Sequence, residues 1–559
     1  MLIEGDLMKT DIEISQESKL KPIQSIASKL SIPESKVNPY GKYMAKVSSD
    51  TPDQDTKKKL ILVTAINPTP AGEGKSTVLI GLGDALNQLN KKVAIALREP
   101  SMGPVMGMKG GAAGGGFAQV EPMVNINLNF TGDIHALTSA NNTLAALIDN
   151  SIYQGNKLNL DPRKIQWHRA MDVNDRELRN MVIGLGGSKS GVPREEHFEI
   201  TAASELMAIL CLSTDLNDLK YRIKNILIGY TYENKPVFVS DLGAESALTI
   251  ILKDAINPNL VQTLEHTPAF IHGGPFANLA MGCNSVQATN TAMKVADYTL
   301  TEAGFGSDLG GEKFMDLVSP HLNVDPSVVV VVASIRALKF NGGLAKSELS
   351  SPDVDALKKG VKNLDHHIRA MKSFNKPVIV AINQFNDDSR EEIQWLNRHL
   401  EDLGVEHGIS KSFIAGGKGS IDLAQKLIKL VDNDDSLKRV YSNEDNLTDK
   451  INKVAKKIYG AGDVALSSKA KGQLKEIQKN GWDKLPICIS KTQYSLSDDP
   501  KKLGDPSGFT LHITELLPKL GAGYIVAMAG KVITMPGLPK HPAAIGMDID
   551  KNEKITGLF

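Results

Sequence analysis

A chain of 559 residues is longer than one hydrophobic core usually serves, so roughly two to four packed units are expected. Charged residues make up 23% and hydrophobic residues 41%, with a mean hydropathy of −0.16, which is ordinary for globular proteins. The formal net charge is zero and the pI about 7.2, so nothing global draws the chain to nucleic acid or an anionic membrane, and any anion must be held by local charge.

The N-terminal stretch MLIEGDLMKTDIEIS carries acids and no apolar run, unlike a signal peptide. No later run approaches the ~18 apolar residues of a membrane span. Cys211, Cys283 and Cys488 lie far apart with no CxxC pair, which argues against a zinc ribbon and fits a reducing compartment. The cytoplasm is the expected location.

Short apolar runs recur along the chain at 60–66, 93–97, 237–240, 269–273, 298–303, 328–334 and 377–383. Several are almost continuously apolar, as strands buried on both faces of a parallel sheet read. Between them lie amphipathic helical stretches, among them 76–90 and 353–374. This alternation predicts an α/β fold, a parallel sheet covered by helices. Residues 1–140 and 236–383 read as two parts of that core. Residues 141–235 read as a mainly helical insertion. Residues 384–559 read as a C-terminal region with helices at 419–432 and 447–459.

The sharpest motif is Thr69-Pro70-Ala71-Gly72-Glu73-Gly74-Lys75-Ser76-Thr77, between strand 60–66 and helix 76–90. That strand–loop–helix setting is what a P-loop requires. Its glycines admit phosphate to the backbone, and successive N–H groups with the helix N-terminus supply positive potential. Lys75 is expected to reach the β- and γ-phosphates and Ser76 to hold Mg²⁺. Thr69 stands where the usual pattern has glycine, and Gly72 adds one inside the loop. The predicted core is therefore P-loop NTPase-like, with additional smaller domains.

Arg98 and Glu99 follow strand 93–97, at the carboxyl end where sheet ligands sit. A guanidinium there suits a carboxylate and a transferring phosphoryl group, though a structural ion pair reads equally well. Next, 107–120 carries a run of small residues after Lys109, a loop open to close backbone approach. Asp133 and His135 in NFTGDIHAL are candidates for acid–base work or for structural roles. Asp308 and Glu312 follow strand 298–303, and Arg336 and Lys339 follow strand 328–334. His366 and His367 sit on a polar helical run and read as solvated.

GMKGGAAGGGF (107–117) and VASIRALKFNGG (332–343) resemble the two signature stretches of the formate–tetrahydrofolate ligases. Further segments are similar in the same order: YGKYMAKV (40–47), LREPSMGPVMG (97–107), NFTGDIHA (129–136), TPAFIHGGPFANLAMGCNS (267–285), TEAGFGSDLGGEKF (301–314) and TMPGLPKHPAA (534–544). The resemblance spans nearly the whole chain and is more specific than a P-loop. It implies ligation of formate to tetrahydrofolate with ATP cleaved to ADP and phosphate, Mg²⁺ as cofactor, help from a monovalent cation (K⁺ or NH₄⁺), and a homotetramer. The chain ends in GLF without a dehydrogenase or cyclohydrolase segment, which resembles the single-function form.

The resemblance also implies that Arg98 binds formyl phosphate, with Lys75 beside it. A proton acceptor is needed for the attacking amine, and Asp133, Glu99 and His135 are unranked candidates. The C-terminal region is expected to contribute a stacking slot for folate or nucleotide from Phe385 and Phe413. Phe413 stands where the family usually has Trp, Gln384 where it has Arg, and Phe117 where it has Tyr. A P-loop switch ATPase, a retired homologue and a ligase for another acid are the competing readings.

Overall fold

The run Val328–Ala333 is buried at every position, and alternate residues of the neighbouring strands divide between two cores. Leu60, Leu62, Val329 and Val331 face one core, while Ile61, Val63, Val328 and Val330 face the other. Successive strand side chains point to opposite faces, so a strand apolar throughout must be covered on both. The computed structural model, describing residues 9–69, 72–107, 113–278, 280–432, 435–530 and 532–558, has this arrangement.

The central strands are β1 (Lys59–Ala65), β2 (Val93–Leu97), β3 (Pro268–Ile271), β4 (Tyr298–Glu302), β5 (Val328–Ala333), β6 (Val378–Asn383) and β7 (Glu406–Ser410). They run parallel in the order β3-β2-β4-β1-β5-β6-β7. Asn259–Thr263 extends the sheet antiparallel to β3, and the edge continues through Ala45–Val47. Helices α1 (Lys75–Gln88), α2 (Asp133–Tyr153), α3 (Val286–Val295), α4 (Val354–Lys372), α5 (Arg390–Asp402) and α6 (Ile421–Leu430) flank it. Apolar residues of α1 and α6 fill one core; those of α4 and α5 fill the other, while α3 divides between that core and a third, smaller one. No helix among the described residues is long and apolar enough to cross a membrane.

Three expectations are corrected. The stretch 141–235 is not mainly helical. It holds the end of α2, to Tyr153, and helices Glu205–Leu212 and Leu216–Lys224, but also strands Leu160–Ile165, Arg169–Met171, Met181–Ile183, Arg194–Glu196, Phe198–Ile200 and Leu227–Thr231. Four of them are three residues long, and Gly229 pairs with the distant Ile165, so local periodicity carries little trace of them. The run at 237–240 belongs to that small sheet rather than to the core: Pro236–Phe238 pairs with Leu227–Thr231. The core sheet also passes 383, because β7 pairs in parallel with β6. Glu406, His407 and Ser410 make β7 too polar to read as a buried strand.

In the C-terminal region a four-stranded sheet runs in the order Asp463–Leu466, Thr510–Lys519, Tyr524–Ala529, Ile487–Ser490. Its apolar residues, such as Leu511 and Ile525, join the same core as α4.

Candidate functional site

The strand order brings distant motifs to one edge. β4 lies between β1 and β2, so its last residue, Glu302, emerges between the loop that follows β1 and the Arg98 that follows β2. Three groups converge on the Glu302 carboxylate, which is fully buried. The Arg98 backbone N–H donates to Oε1 at 3.4 Å and the Arg98 Nε at 3.5 Å. The Ser76 hydroxyl donates to Oε2 at 3.3 Å, and Lys75 Nζ stands 3.8 Å from the same oxygen. Lys75 also donates to the carbonyl of Ala303. Burial pushes the Glu302 carboxyl up, but the Arg98 and Lys75 cations, the Arg98 N–H and the Ser76 hydroxyl outweigh it and hold it below the ordinary range. Sequence reasoning passed over Glu302. Its signal was an acid ending the strand that precedes a glycine-rich turn.

The loop before α1 is braced from within and from β6. The N–H of Thr69 donates to Glu73 Oε1 at 2.6 Å, and the carbonyl of Glu73 accepts from Asn383 Nδ2 at 2.9 Å. Gly74 caps α1 at φ +70°, and a Cβ there would lie 2.2 Å from Asn383 Nδ2, so only glycine fits. Gly72 is also left-handed, at φ +74°. Thr77 lies in the first turn of α1, buried. Pro70, Ala71 and Lys109 lie outside the described residues.

Arg98 is confined by small residues. Its Nη1 donates to the Pro275 carbonyl at 3.4 Å. A Cβ on Gly304 would stand 2.8 Å from Nη1 and 2.9 Å from both the Ala277 Cβ and the Gly282 carbonyl oxygen. The Arg98 side chain is nonetheless 19% exposed and Lys75 11%, so both cations keep an open side.

The acid candidates divide. Glu99 is buried and its Oε2 has no hydrogen-bonding partner. Burial, and then the neighbouring Asp133 charge, push its carboxyl well above the ordinary range. Asp133, at the start of α2, is ion-paired with Lys46 at 2.8 Å and accepts from Asn259 Nδ2 at 2.8 Å. His135 is exposed.

Phe385 follows β6 and Phe413 follows β7, so both rings rise from the carboxyl edge of adjacent parallel strands. The Arg336 guanidinium lies 4.6 Å from the Phe385 ring centroid, which covers one face of that ring with a cation, and Arg336 is ion-paired with Asp387. A positive group thus stands beside Phe385 although position 384 is Gln. Phe413, 38% exposed, accepts from the Phe117 N–H at 2.8 Å through its carbonyl, which ties it to the loop at 113–117.

Other candidates are structural. Lys339 is buried against Glu392 at 2.9 Å, and Asp308 against Lys491 at 2.7 Å, both pairs with almost no exposure. Glu312 is buried, and burial with the Asp316 charge pushes its carboxyl up. His366 and His367 are buried rather than solvated, because their face of α4 packs beneath other elements. His367 bonds Ser307 at 2.7 Å and the N–H of Asn67 at 3.1 Å, and burial pushes its imidazole down to about 3. Far in sequence from these strand ends, His168, Glu196 and His197 group at ligand distances, but Arg169 and Arg194 pair with Glu196 at 3.0 and 2.8 Å, which disfavours a divalent cation.

A family model described as formate–tetrahydrofolate ligase matches residues 9–559. Curated relatives carry the same description. One from Limosilactobacillus reuteri is 59% identical, with 98% of this chain and the relative's whole length covered. One from Lactobacillus acidophilus is 58% identical over 99% of this chain and its own full length. One from Lactiplantibacillus plantarum is 57% identical over 98% of this chain and its own full length.

Proposed function

The chain belongs to the formate–tetrahydrofolate ligase family, and from that membership we propose that Lys75 and Arg98 are the cations that bring ATP and formate together. The reaction is ATP-dependent ligation of formate to tetrahydrofolate in one-carbon metabolism. The observation that carries the residue assignment is the convergence of Lys75, Ser76 and Arg98, from two separate strand ends, on the single Glu302 carboxylate.

Formate is a poor acyl donor because oxide would have to leave. Attack of a formate oxygen on the γ-phosphorus of ATP expels ADP and leaves formyl phosphate, whose leaving group is phosphate. The tetrahydrofolate N10 then attacks the formyl carbon, phosphate departs, and the amine proton is lost. The first step crowds like charges, so its barrier is set by the positive groups around it.

In this reading the loop 69–77 is a phosphate-binding loop of P-loop NTPase type, with Lys75 on the terminal phosphates. Arg98 holds the carboxylate in line for attack and then the acyl phosphate. The Ser76 hydroxyl at the start of α1 is a hard oxygen donor of the kind that suits Mg²⁺. Bound by Ser76, that ion would supply positive charge to the phosphates. Phe385 and Phe413 offer faces for the pterin or the adenine, with Arg336 limiting Phe385 to its other face. The departing phosphate carries oxygens that can accept the amine proton.

The test is ADP release from Mg·ATP with formate and tetrahydrofolate added singly and together. ADP appearing only with both, matched by 10-formyltetrahydrofolate, is the expected result. ADP release without either, or with another acid alone, would refute the reading.

A further inference from the structure

Resting on that assignment of Lys75 and Arg98, we propose that Glu302 is a positioning residue for the ligation: it is the shared counter-ion that aims two like-charged side chains at adjacent substrates. Lys75 and Arg98 come from different strand ends and repel one another. A negative charge between them offsets that repulsion and holds both long side chains in one place. Glu302 is suited to this because its two oxygens are divided: Oε1 faces the Arg98 N–H and Nε, and Oε2 faces Ser76 and Lys75.

The residues that follow continue the same task. The Ala303 carbonyl takes Lys75, and Gly304 leaves the gap that the Arg98 guanidinium fills. The strand end 302–304 therefore sets the distance between the phosphate cation and the acid cation. That distance decides whether the formate oxygen meets the γ-phosphorus at a reactive separation. Its single acid leaves the paired cations with net positive charge for two anionic substrates. Removing that acid raises the positive potential while releasing the aim. Ground-state binding of anions is then kept or tightened and turnover is lost, a split that a merely structural strut would not produce.

The experiment compares Glu302→Gln, which keeps size and removes charge, with Glu302→Asp, which keeps charge on a shorter stem. Unfolding temperature, calorimetric binding of Mg·ADP, and kcat and KM for formate are measured on each. For Glu302→Gln the expected result is a fall in kcat of about 100-fold, the size typical of a misplacement near 1 Å. Mg·ADP affinity and formate KM should not weaken beyond about threefold, and Glu302→Asp should recover at least about tenfold of the lost kcat. Wild-type kcat in Glu302→Gln overturns the proposal. So does loss of ADP affinity in parallel with kcat in both variants, the mark of a structural strut. Lys75→Ala, measured alongside, separates this from the underlying assignment: if it binds ADP normally, the phosphate reading itself falls. If it loses ADP while Glu302→Gln behaves as wild type, only the role of Glu302 falls.

Discussion

Gly304→Ala adds one methyl group where the acid side of the site has least room. The new Cβ would stand 2.8 Å from Arg98 Nη1 and 2.9 Å from the Ala277 Cβ and the Gly282 carbonyl oxygen. Carbon contacts become comfortable near ~3.5 Å, so the guanidinium must retreat by roughly 0.7 Å or the backbone must shift. Overpacking of this kind costs about 1–3 kcal/mol of stability. A retreat of that size from a reacting carboxylate is expected to lower kcat/KM for formate by about 100-fold, near 2.7 kcal/mol of barrier. The nucleotide side should be spared, because the atoms nearest the new Cβ belong to Arg98, Ala277 and Gly282. Initial rates at varied formate, with Mg·ADP binding followed by calorimetry, separate the two sides. A well-folded variant with wild-type formate kinetics would refute the placing of the acid site at Arg98.

Asp308→Asn should destabilise by about 3–5 kcal/mol, because it strands the fully buried Lys491 without its 2.7 Å partner; an unfolding midpoint unchanged in denaturant would contradict this. Asp308 also loads the acid limb of stability. Burial pushes its carboxyl up, but Lys491 and His367 outweigh this and hold it below its ordinary value. Its contribution is thus present above the unfolded carboxyl pKa and lost as pH falls through the folded one. Asp84 has the opposite sign: burial raises it to about 8, against hydrogen bonds from Thr263 and Thr267 that lower it. Between the ordinary carboxyl value and about 8 the folded state holds one more proton than the unfolded state, so this contribution is full at low pH and declines as pH rises. Asp84→Asn should therefore flatten the fall in unfolding temperature between pH 5 and 8; a slope parallel to wild type would refute it. Phe413→Trp enlarges an exposed ring at the slot and should lower KM for tetrahydrofolate or ATP several-fold, by about 0.5–1.5 kcal/mol of stacking. Unchanged KM for both would put Phe413 outside the pocket.

Much of the architecture was legible because local rules governed it. The strands at 93–97 and 328–333 are apolar throughout and that at 378–383 is apolar up to its last residue, Asn383, and burial on both sheet faces is what permits that pattern. The loop 69–77 declared itself by glycines ahead of Lys75-Ser76, and Arg98 by standing one residue past a strand. β7 was not legible, since its polar residues suit an edge position known only once β6 is beside it. Nor were the short strands between 160 and 231, several only three residues long and some paired across long separations.

What the sequence by itself determined was the family and the positions at which its chemistry is proposed: the glycine-rich loop 69–77, Arg98, Phe385 and Phe413. What only the tertiary structure decided was which charges meet. Strand order inserts β4 between β1 and β2 and so delivers Glu302 to Lys75 and Arg98. The same packing buries His366 and His367, turns Lys339 and Asp308 into structural ion pairs, and lays Arg336 over Phe385. A side chain's charge is written in its residue type. Its partner, its burial and therefore its protonation depend on residues hundreds of positions away, which only the folded sheet brings within a few ångströms.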